Sequence, residues 1–291
     1  MGDHQDLKIA EQIEKWNLII KPKKHLLDID LKDIWRYRDL IVLFVRRDFV
    51  SKYKQTILGP LWFLIQPILT SLMFTVIFGN IAKISTDGLP QMLFYLSGIV
   101  GWTYFANCLA STSNTFVANA GIFGKVYFPR LTLPISIVIS NLVQFLIQFL
   151  LLVGFMVYFA IIGADFRPNV YIIILPFLIM IMAALGLGFG IIISSLTTKY
   201  RDLTHLVGFG VQLWMYATPV IYPLSTISEV YKPYVLANPL TPIIETFRFA
   251  LLGTGTFSWM HLLYSFVFTI VILVLGILMF NKVEQTFMDT V

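Results

Sequence analysis

Long apolar runs dominate this sequence and limit what it can fold into. They are separated by charged or Pro- and Gly-containing breaks and lie near residues 57–81, 92–118, 131–162, 170–196, 204–222 and 259–281. A helix needs about 20 mostly apolar residues to cross the ~30 Å hydrocarbon core of a bilayer. Of the 291 residues, 57% are hydrophobic and 13% are charged, which is far from the composition of a soluble domain. The sequence therefore predicts an all-α integral membrane protein with six transmembrane helices.

The distribution of basic residues predicts how these spans are oriented. Residues 1–55 contain no short apolar segment with a small-residue cleavage site, so we expect no signal peptide and a cytoplasmic N-terminus. From that start, 17 Lys and Arg fall in inner segments, and the four in outer segments are Lys83, Arg167, Lys232 and Arg248. This excess of inner positive charge agrees with the positive-inside rule. We therefore expect both termini in the cytoplasm, with residues 1–30 and 282–291 as tails.

A basic, amphipathic stretch precedes the first span. In residues 31–56, apolar and aromatic residues alternate with basic ones at roughly helical spacing, which is typical of a helix lying in the membrane interface. Gly59 and Pro60 then allow a sharp change of direction into the first span. The alternative is a basic flank that only stops transfer into the membrane. We favour an interface helix, whose clustered cations are Arg46, Arg47, Lys52 and Lys54.

The inner loop at 119–130 has two features of interest. Its first eight residues, NAGIFGKV, imitate a Walker A phosphate loop, but Asn119 stands where the first glycine is required and Val126 where Ser or Thr would bind magnesium. We therefore expect no ATP site and no cofactor in this chain. An exposed apolar cluster in the same loop is a candidate for docking into a groove of a partner, or else an interfacial belt resting on lipid. Its members are Ile122, Phe123, Val126, Tyr127 and Phe128.

The outer segment before the last span predicts a short helix. In residues 237–253, Thr241 can cap its start, Gly253 can end it, and Glu245 and Arg248 form an i, i+3 pair. A helix of about 12 residues cannot cross a bilayer. We expect short re-entrant or interfacial helices that cover the outer end of the bundle.

The sequence lacks the residues that several kinds of transport and catalysis require. No Asp or Glu lies in the central part of a proposed span, which disfavours a proton- or sodium-driven carrier. The sequence shows no metal-ligand cluster and no Ser/His/Asp set, so we expect no metal site and no catalytic residue. The single cysteine, Cys108, is expected to be a small buried residue. The glycines of AALGLGFG, at 183–190, should let helices approach closely.

Five ordered motifs resemble a known family. They are RRDFVSKYKQTILGPLWFLIQP (46–67), FGKVYFPRLTLP (123–134), KYRDL (199–203), YATPVIYP (216–223) and NPLTPIIETFRFALLG (238–253). The chain from about residue 36 onwards resembles the membrane subunits of ABC exporters that move lipid-linked polysaccharides, notably O-antigen and teichoic-acid permeases.

The resemblance implies an architecture and partners. We expect a homodimer in the bacterial inner membrane, each copy paired with a separate cytosolic P-loop ATPase that binds ATP and Mg, and no nucleic-acid partner. The cargo would be an undecaprenyl-linked glycan, O-antigen first, with teichoic acid or capsular polysaccharide as alternatives. In such proteins, residues 119–130 would be the coupling helix and residues 224–256 the outer gate. The gate residues here would be Pro239, Pro242, Glu245 and Arg248.

Two further sets of residues gain a candidate role from the resemblance. The cations of the interface helix could attract the pyrophosphate of the substrate, although anchoring to anionic lipid explains them equally simply. Aromatic side chains near the ends of spans two and five could line a sugar path at the dimer axis, the alternative being an interfacial belt. These are Tyr95, Trp102, Tyr104, Trp214, Tyr216 and Tyr222.

Two rival functions need different residues. An exporter of drugs or lipids would share the fold but should not carry this pattern in the N-terminal interface helix. A membrane-embedded transferase acting on lipid-linked sugars would need a catalytic acid, base or metal site near an interface. The available carboxylates, Asp48, Asp202 and Glu245, are scattered over both sides of the membrane, which argues against it.

Overall fold

The computed structural model describes residues 31–54, 56–123, 128–200 and 202–290, and the regular structure in these ranges is helical. The helices are α1 (Leu31–Arg36), α2 (Arg38–Tyr53), α3 (Trp62–Phe74), α4 (Gln91–Thr112), α5 (Thr115–Phe123), α6 (Thr132–Ile161), α7 (Leu175–Thr197), α8 (Leu203–Tyr216), α9 (Lys232–Leu236), α10 (Leu240–Leu252) and α11 (Trp259–Thr290). The prediction of an all-α membrane fold is confirmed.

Five helical segments in the described part are long and apolar enough to cross a bilayer. They are Gly59–Ile81, Gln91–Thr112, Thr132–Ile161, Val170–Thr197 and Trp259–Val283. The first consists of α3 with a 3₁₀ turn before it and a π-helical turn after it. The fourth is α7 with a preceding 3₁₀ turn. These five segments match predicted spans to within a few residues, apart from the second, whose helix ends six residues early.

The fifth predicted span, 204–222, is shorter than expected. Its helix α8 has 14 residues and ends at Tyr216, which gives a length of about 21 Å at 1.5 Å per residue. Pro219 explains the early end, because proline has no N–H to donate and disfavours helical backbone at the residue before it. The chain therefore leaves the helix and continues as turns that pack against the bundle.

The core of the bundle is built around α4. This helix packs against α3, α6, α7, α8 and α10 and is buried along most of its length. Glycines of α7 allow the close approach to α4: a Cβ on Gly186 would lie 2.7 Å from the Cβ of Cys108, and a Cβ on Gly190 would lie 2.5 Å from the Cβ of Thr112. The expected close helix approach is confirmed, and Cys108 is fully buried, as predicted.

The segments outside the spans are short helices. The N-terminal segment breaks at Tyr37 into α1 and α2, and α2 packs against α6. Between α8 and α11 the chain forms α9 and α10. Every residue of α10 except Phe249 is buried, so this helix sits within the bundle and not on its surface. The prediction of short helices before the last span is thereby confirmed.

Candidate functional site

An aromatic cluster joins the inner loop to the rest of the chain. We call it the inner cluster and define it by Phe44, Phe116, Phe123, Phe128 and Phe280. The ring centroids of Phe123 and Phe128 lie 5.8 Å apart, those of Phe44 and Phe128 5.7 Å, and those of Phe116 and Phe280 4.5 Å. The cluster therefore links α5 and the residue after the loop to both α2 and α11. A displacement of this loop would therefore change the contacts of the interface helix and of the last span.

The burial of this cluster changes the prediction for the docking loop. Phe123 and Phe128 are each 4% exposed, so the expectation of an exposed apolar cluster is wrong for these two rings. They pack against other aromatic rings of their own chain, which a sequence pattern does not reveal. Ile122 is half-buried. Val126 and Tyr127 lie outside the described residues, and docking of the loop to an ATPase stays a prediction.

The predicted phosphate-binding cations differ in their surroundings. The Arg47 guanidinium forms an ion pair with Asp48 at 2.8 Å and lies 4.8 Å from the centroid of the Phe44 ring. Arg46 and Lys54 are exposed, whereas the side chain of Lys52 lies outside the described part. The charge of Arg47 is thus partly neutralised within its own helix. Arg47 is exposed as well, so its pairing with Asp48 is the reason why Arg46 and Lys54 are the stronger candidates for binding an anionic headgroup.

Three of the predicted channel aromatics belong to the core of one subunit. Tyr95, Trp102 and Tyr104 are all buried. The Tyr104 ring lies 5.0 Å from that of Phe145, and the Trp102 ring lies 5.5 Å from that of Phe105. A ring that is buried inside one chain cannot line a passage between two copies. The expectation of a channel-facing position is therefore wrong for these three side chains.

The other three predicted aromatics lie nearer the surface. Trp214 and Tyr222 are half-buried, and Tyr216 is 47% exposed. The Tyr222 hydroxyl donates to the carbonyl of Tyr216 at 3.1 Å, which holds the two aromatic residues together just beyond the end of α8. A role of these rings in a sugar path stays a prediction, and Tyr216 offers the most accessible surface for it.

The predicted outer gate contains a buried ion pair. Nη1 of Arg248 donates to Oε1 of Glu245 at 2.9 Å, and both side chains are 1% exposed. Nη2 of Arg248 donates to the carbonyl of Pro219 at 3.0 Å, and its guanidinium lies 3.9 Å from the centroid of the Phe94 ring. The other carboxylate oxygen of Glu245 accepts from the amide of Thr256 at 3.1 Å. We call this arrangement the outer clasp.

The outer clasp fixes α10 to three other segments. Arg248 reaches the turn after α8 and the start of α4, and Glu245 reaches the loop before α11. Burial raises the pKa of Glu245, while the Arg248 charge and the Thr256 amide act in the opposite direction. A Cβ on Gly98 would lie 3.1 Å from Nη2 of Arg248 and 2.9 Å from the carbonyl oxygen of Val220, so this glycine leaves room for the guanidinium.

The predicted ends of α10 are partly right. Gly253 ends the helix with a φ of +78°, as expected of a left-handed C-terminal glycine. Thr241 does not cap the start, because its hydroxyl donates to the carbonyl of Val235 at 2.7 Å. Pro239 and Pro242 are both buried beside it. The amide N–H of Leu240 instead donates to Oδ1 of Asn238 at 3.1 Å.

Sequence reasoning missed Asn238 as a structural centre. Its Oδ1 also accepts from Nε1 of Trp214 at 3.1 Å, and its Nδ2 donates to Oγ1 of Thr218 at 2.9 Å and to the carbonyl of Ala217 at 3.2 Å. One side chain thus joins the end of α8 to the start of α10. The signal for it is Asn before Pro, a pair that favours turns with side-chain to backbone hydrogen bonds.

A polar stripe inside the membrane region was also missed. Asn141, Gln144 and Gln148 are buried at i, i+3 and i+7 on one face of α6. Amide side chains inside a span form interhelical hydrogen bonds and can therefore fix one helix to another. Gln148 makes such a bond to α3, at the carbonyl of Phe63.

Comparison with known proteins identifies the family. The model of the ABC-2 type transporter family matches residues 39–252, from the start of α2 to the end of α10. The chain belongs to this family. Membrane subunits of ABC-2 type transporters work with an ATPase partner.

Several proteins that are similar to this chain have names that refer to polysaccharide export or transport. An O-antigen export system permease protein RfbA from Klebsiella pneumoniae is 28% identical over 254 residues, which cover 86% of this chain and 94% of the relative. RfbA from Myxococcus xanthus is 28% identical over 222 residues, 75% of this chain and 82% of the relative. The polysialic acid transport protein KpsM from Escherichia coli is 23% identical over 249 residues, which cover 84% of this chain and 93% of the relative.

Proposed function

We propose that this chain is the transmembrane subunit of an ATP-driven exporter that moves an undecaprenyl-linked polysaccharide of the O-antigen type across the bacterial inner membrane. The observation that carries the proposal is the length of the similarity: 86% of the chain aligns with 94% of an O-antigen export permease. Capsular polysaccharide is the second candidate cargo, because KpsM aligns over a similar length at 23% identity.

The energy for export comes, in this proposal, from a separate P-loop ATPase that binds ATP and Mg. The inner loop would dock on it from the cytoplasm, and the inner cluster would carry its displacement to α2 and α11. The geometry that supports this route is the contact of Phe128 with both Phe123 and Phe44. Both termini would then lie in the cytoplasm, in agreement with the inner excess of Lys and Arg.

The path for the glycan would form between two copies of the chain. The core around α4 is packed with apolar and aromatic side chains such as Tyr104 and Phe145, so a polar polymer has no route through the described core of one subunit. A homodimer supplies a path along its axis, and two-fold dimers are the commonest closed assembly. The exposed cations Arg46 and Lys54 would attract the pyrophosphate at the inner leaflet.

The chemistry of a lipid-linked sugar transferase finds little support. The carboxylates proposed for it are Asp48, which pairs with Arg47, Glu245, which is buried against Arg248, and Asp202, which is exposed. No group of His, Cys, Asp and Glu suited to a metal ion occurs among the described residues. Each of the two paired carboxylates is held by a cation of its own helix.

Depletion of this chain in its native host tests the proposal. Export predicts that one undecaprenyl-linked polymer accumulates in the cytoplasmic leaflet while the matching surface polysaccharide disappears, and that a plasmid copy of the chain reverses both effects. If the polymer is missing from both places, the chain acts in synthesis, as a transferase would. If neither changes, the cargo is not a glycan, and export of a drug or a lipid replaces it.

A further inference from the structure

An apolar slot runs between α7 and α8. Its volume is about 290 Å³, and the residues that line it are apolar or aromatic. The polar atom of its lining side chains is the indole nitrogen of Trp214, which is already bonded to Asn238. We define the slot by Phe189 and Leu196 of α7 and by Leu206, Gly210 and Trp214 of α8.

The slot is as deep as one leaflet of a bilayer. Its lining on α8 extends from Leu203 to Trp214, a separation of eleven residue steps that corresponds to about 16 Å at 1.5 Å per residue. Half of a hydrocarbon core is about 15 Å. The slot therefore starts at the turn between α7 and α8, near one membrane surface, and ends close to the middle of the bilayer.

A fixed aromatic side chain, Trp214, lies at the deep end of the slot. The Trp214 ring lies 5.2 Å from the ring of Phe105 and 5.2 Å from that of Phe189, in edge-to-face contact with both. Its hydrogen bond to Asn238 holds the indole in place. By contrast, none of the 14 residues of α8 itself, all of them described, is buried. The slot is thus a preformed recess, and the helix beside it, α8, is only partly covered by the rest of the chain.

The open end of the slot carries positive charge. Lys199 is exposed in the turn, with its ammonium 5.2 Å from the centroid of the Tyr200 ring. The turn sequence contains Lys199, Arg201 and Asp202, so its net charge is two positive minus one negative, or +1. A cation at headgroup level favours an anionic lipid, as juxtamembrane basic residues do in general.

The shape of the slot favours a thin occupant. An α-helix with its side chains is ~10 Å across, whereas the slot lies between α7 and α8, which are themselves in contact. A single hydrocarbon chain is the partner that combines a small cross-section, a length of one leaflet and an entirely apolar surface.

We propose that the slot binds one acyl chain of an anionic phospholipid, with its headgroup at Lys199 and its chain end at Trp214. In the orientation proposed above, this lipid belongs to the cytoplasmic leaflet. The bound chain completes the packing of α8 against α7 and α4. The proposal does not depend on which glycan is exported, since it concerns a lipid that stays with the protein.

Photo-crosslinking of the full-length protein in vesicles tests the proposal. The vesicles contain phosphatidylethanolamine and a small fraction of phosphatidylglycerol with a diazirine at the end of one acyl chain. The expected label is on Trp214 or on Phe189 at the deep end of the slot, mapped by peptide mass spectrometry. Phosphatidylcholine with the same diazirine chain serves as the headgroup control, and Lys199→Glu should reduce labelling by phosphatidylglycerol alone.

Two glycines of α8 provide a matched pair of variants. A Cβ on either Gly210 or Gly208 meets no atom within 4 Å, so both positions accept a side chain without a clash, but only Gly210 lines the slot. Gly210→Leu should lower deep labelling about tenfold, the factor expected when roughly two CH₂ groups lose their apolar site. Gly208→Leu should leave it unchanged. Val211→Phe, which fills the slot from another lining position, should repeat the effect of Gly210→Leu if that variant folds poorly.

Three results would overturn the proposal. Equal deep labelling in wild type, Gly210→Leu and Val211→Phe would mean that the lipid is only part of the annular layer. Displacement of the label by polyprenyl phosphate, but not by unlabelled phosphatidylglycerol, would assign the slot to an isoprenoid chain. A Leu206→Cys crosslink to a second copy of the chain would show that another subunit covers it. The depletion experiment above is independent of all three.

Discussion

Gln148 of α6 donates its side-chain N–H to the backbone carbonyl of Phe63 in α3, at 3.3 Å. Phe63 lies four residues before Pro67, whose nitrogen has no hydrogen to offer to that carbonyl. A side chain of the third span thus supplies the hydrogen bond that proline removes from the first. The first span needs such an attachment, because Pro67 and Ser71 are the buried residues of α3.

This contact predicts a specific coupling between two positions. Gln148→Leu should lower stability by about 1 kcal/mol, since interhelical hydrogen bonds in membranes are worth about that much. Pro67→Ala restores an N–H for the Phe63 carbonyl, so the loss should be smaller when Gln148→Leu is made in the P67A background. Thermal unfolding of the four purified proteins measures the cycle, with Gln66→Leu at an exposed position of α3 as the control. Equal losses in both backgrounds would show that Gln148 does not serve the proline carbonyl.

The outer clasp predicts an asymmetric response to mutation. Arg248→Met should destabilise the protein by about 3–5 kcal/mol, because it leaves the Glu245 carboxylate buried without a counter-charge. Replacing both partners by Met should recover a large part of that loss. Lys232→Met, in the exposed i, i+3 pair with Glu229, should cost at most about 1 kcal/mol. Thermal stability in detergent compares these variants, and a double variant no more stable than Arg248→Met would contradict a simple ion-pair role.

The close contact of α7 with α4 predicts that the addition of one methyl group to α7 lowers the stability of the protein. Gly190→Ala would place its Cβ 2.5 Å from the Cβ of Thr112, so the helices must separate at a cost of about 1–3 kcal/mol. Gly154→Ala is the matched control, since its Cβ meets no atom within 4 Å. Unfolding midpoints and the yield of monodisperse protein check the difference. Similar behaviour of the two variants would mean that the helices do not pack so closely.

The aromatic side chains predict a separation of stability from export. Tyr104→Ala removes a buried ring and should lower stability by about 3 kcal/mol. Tyr216→Ala changes an exposed ring and should leave the unfolding midpoint unchanged while it reduces export. Surface polysaccharide and thermal stability are measured for both variants. Normal export by a well-folded Tyr216→Ala protein would remove this residue from the proposed sugar path.

The spans could be predicted because a bilayer imposes one length on every apolar helix. That rule worked for five segments, and it overestimated the length of the span at 204–222 because hydropathy does not register the effect of Pro219 on the helix before it. Spacing was also enough to predict the pair of Glu245 and Arg248, since i and i+3 share a helix face. It could not show that the pair is buried and reaches Pro219, because those contacts come from distant segments.

Exposure was the weakest part of the sequence-based prediction. The apolar character of Phe123 and Phe128 is plain in the sequence, but it fits a docking surface and an internal cluster equally well. The choice depends on Phe44, which is about 80 residues away along the chain and whose ring lies 5.7 Å from that of Phe128. Tyr104 was misjudged for the same reason, since its packing partner Phe145 belongs to another span.

We propose above that this chain moves a lipid-linked glycan across the membrane with energy from ATP. Inverted inner-membrane vesicles from the native host test it most directly, because their outer surface is the cytoplasmic face and they retain the host ATPase. Lipid-linked glycan should become resistant to an added glycosidase only when the vesicles contain this chain and receive ATP. Equal protection in vesicles depleted of the chain, or in the absence of ATP, would contradict it.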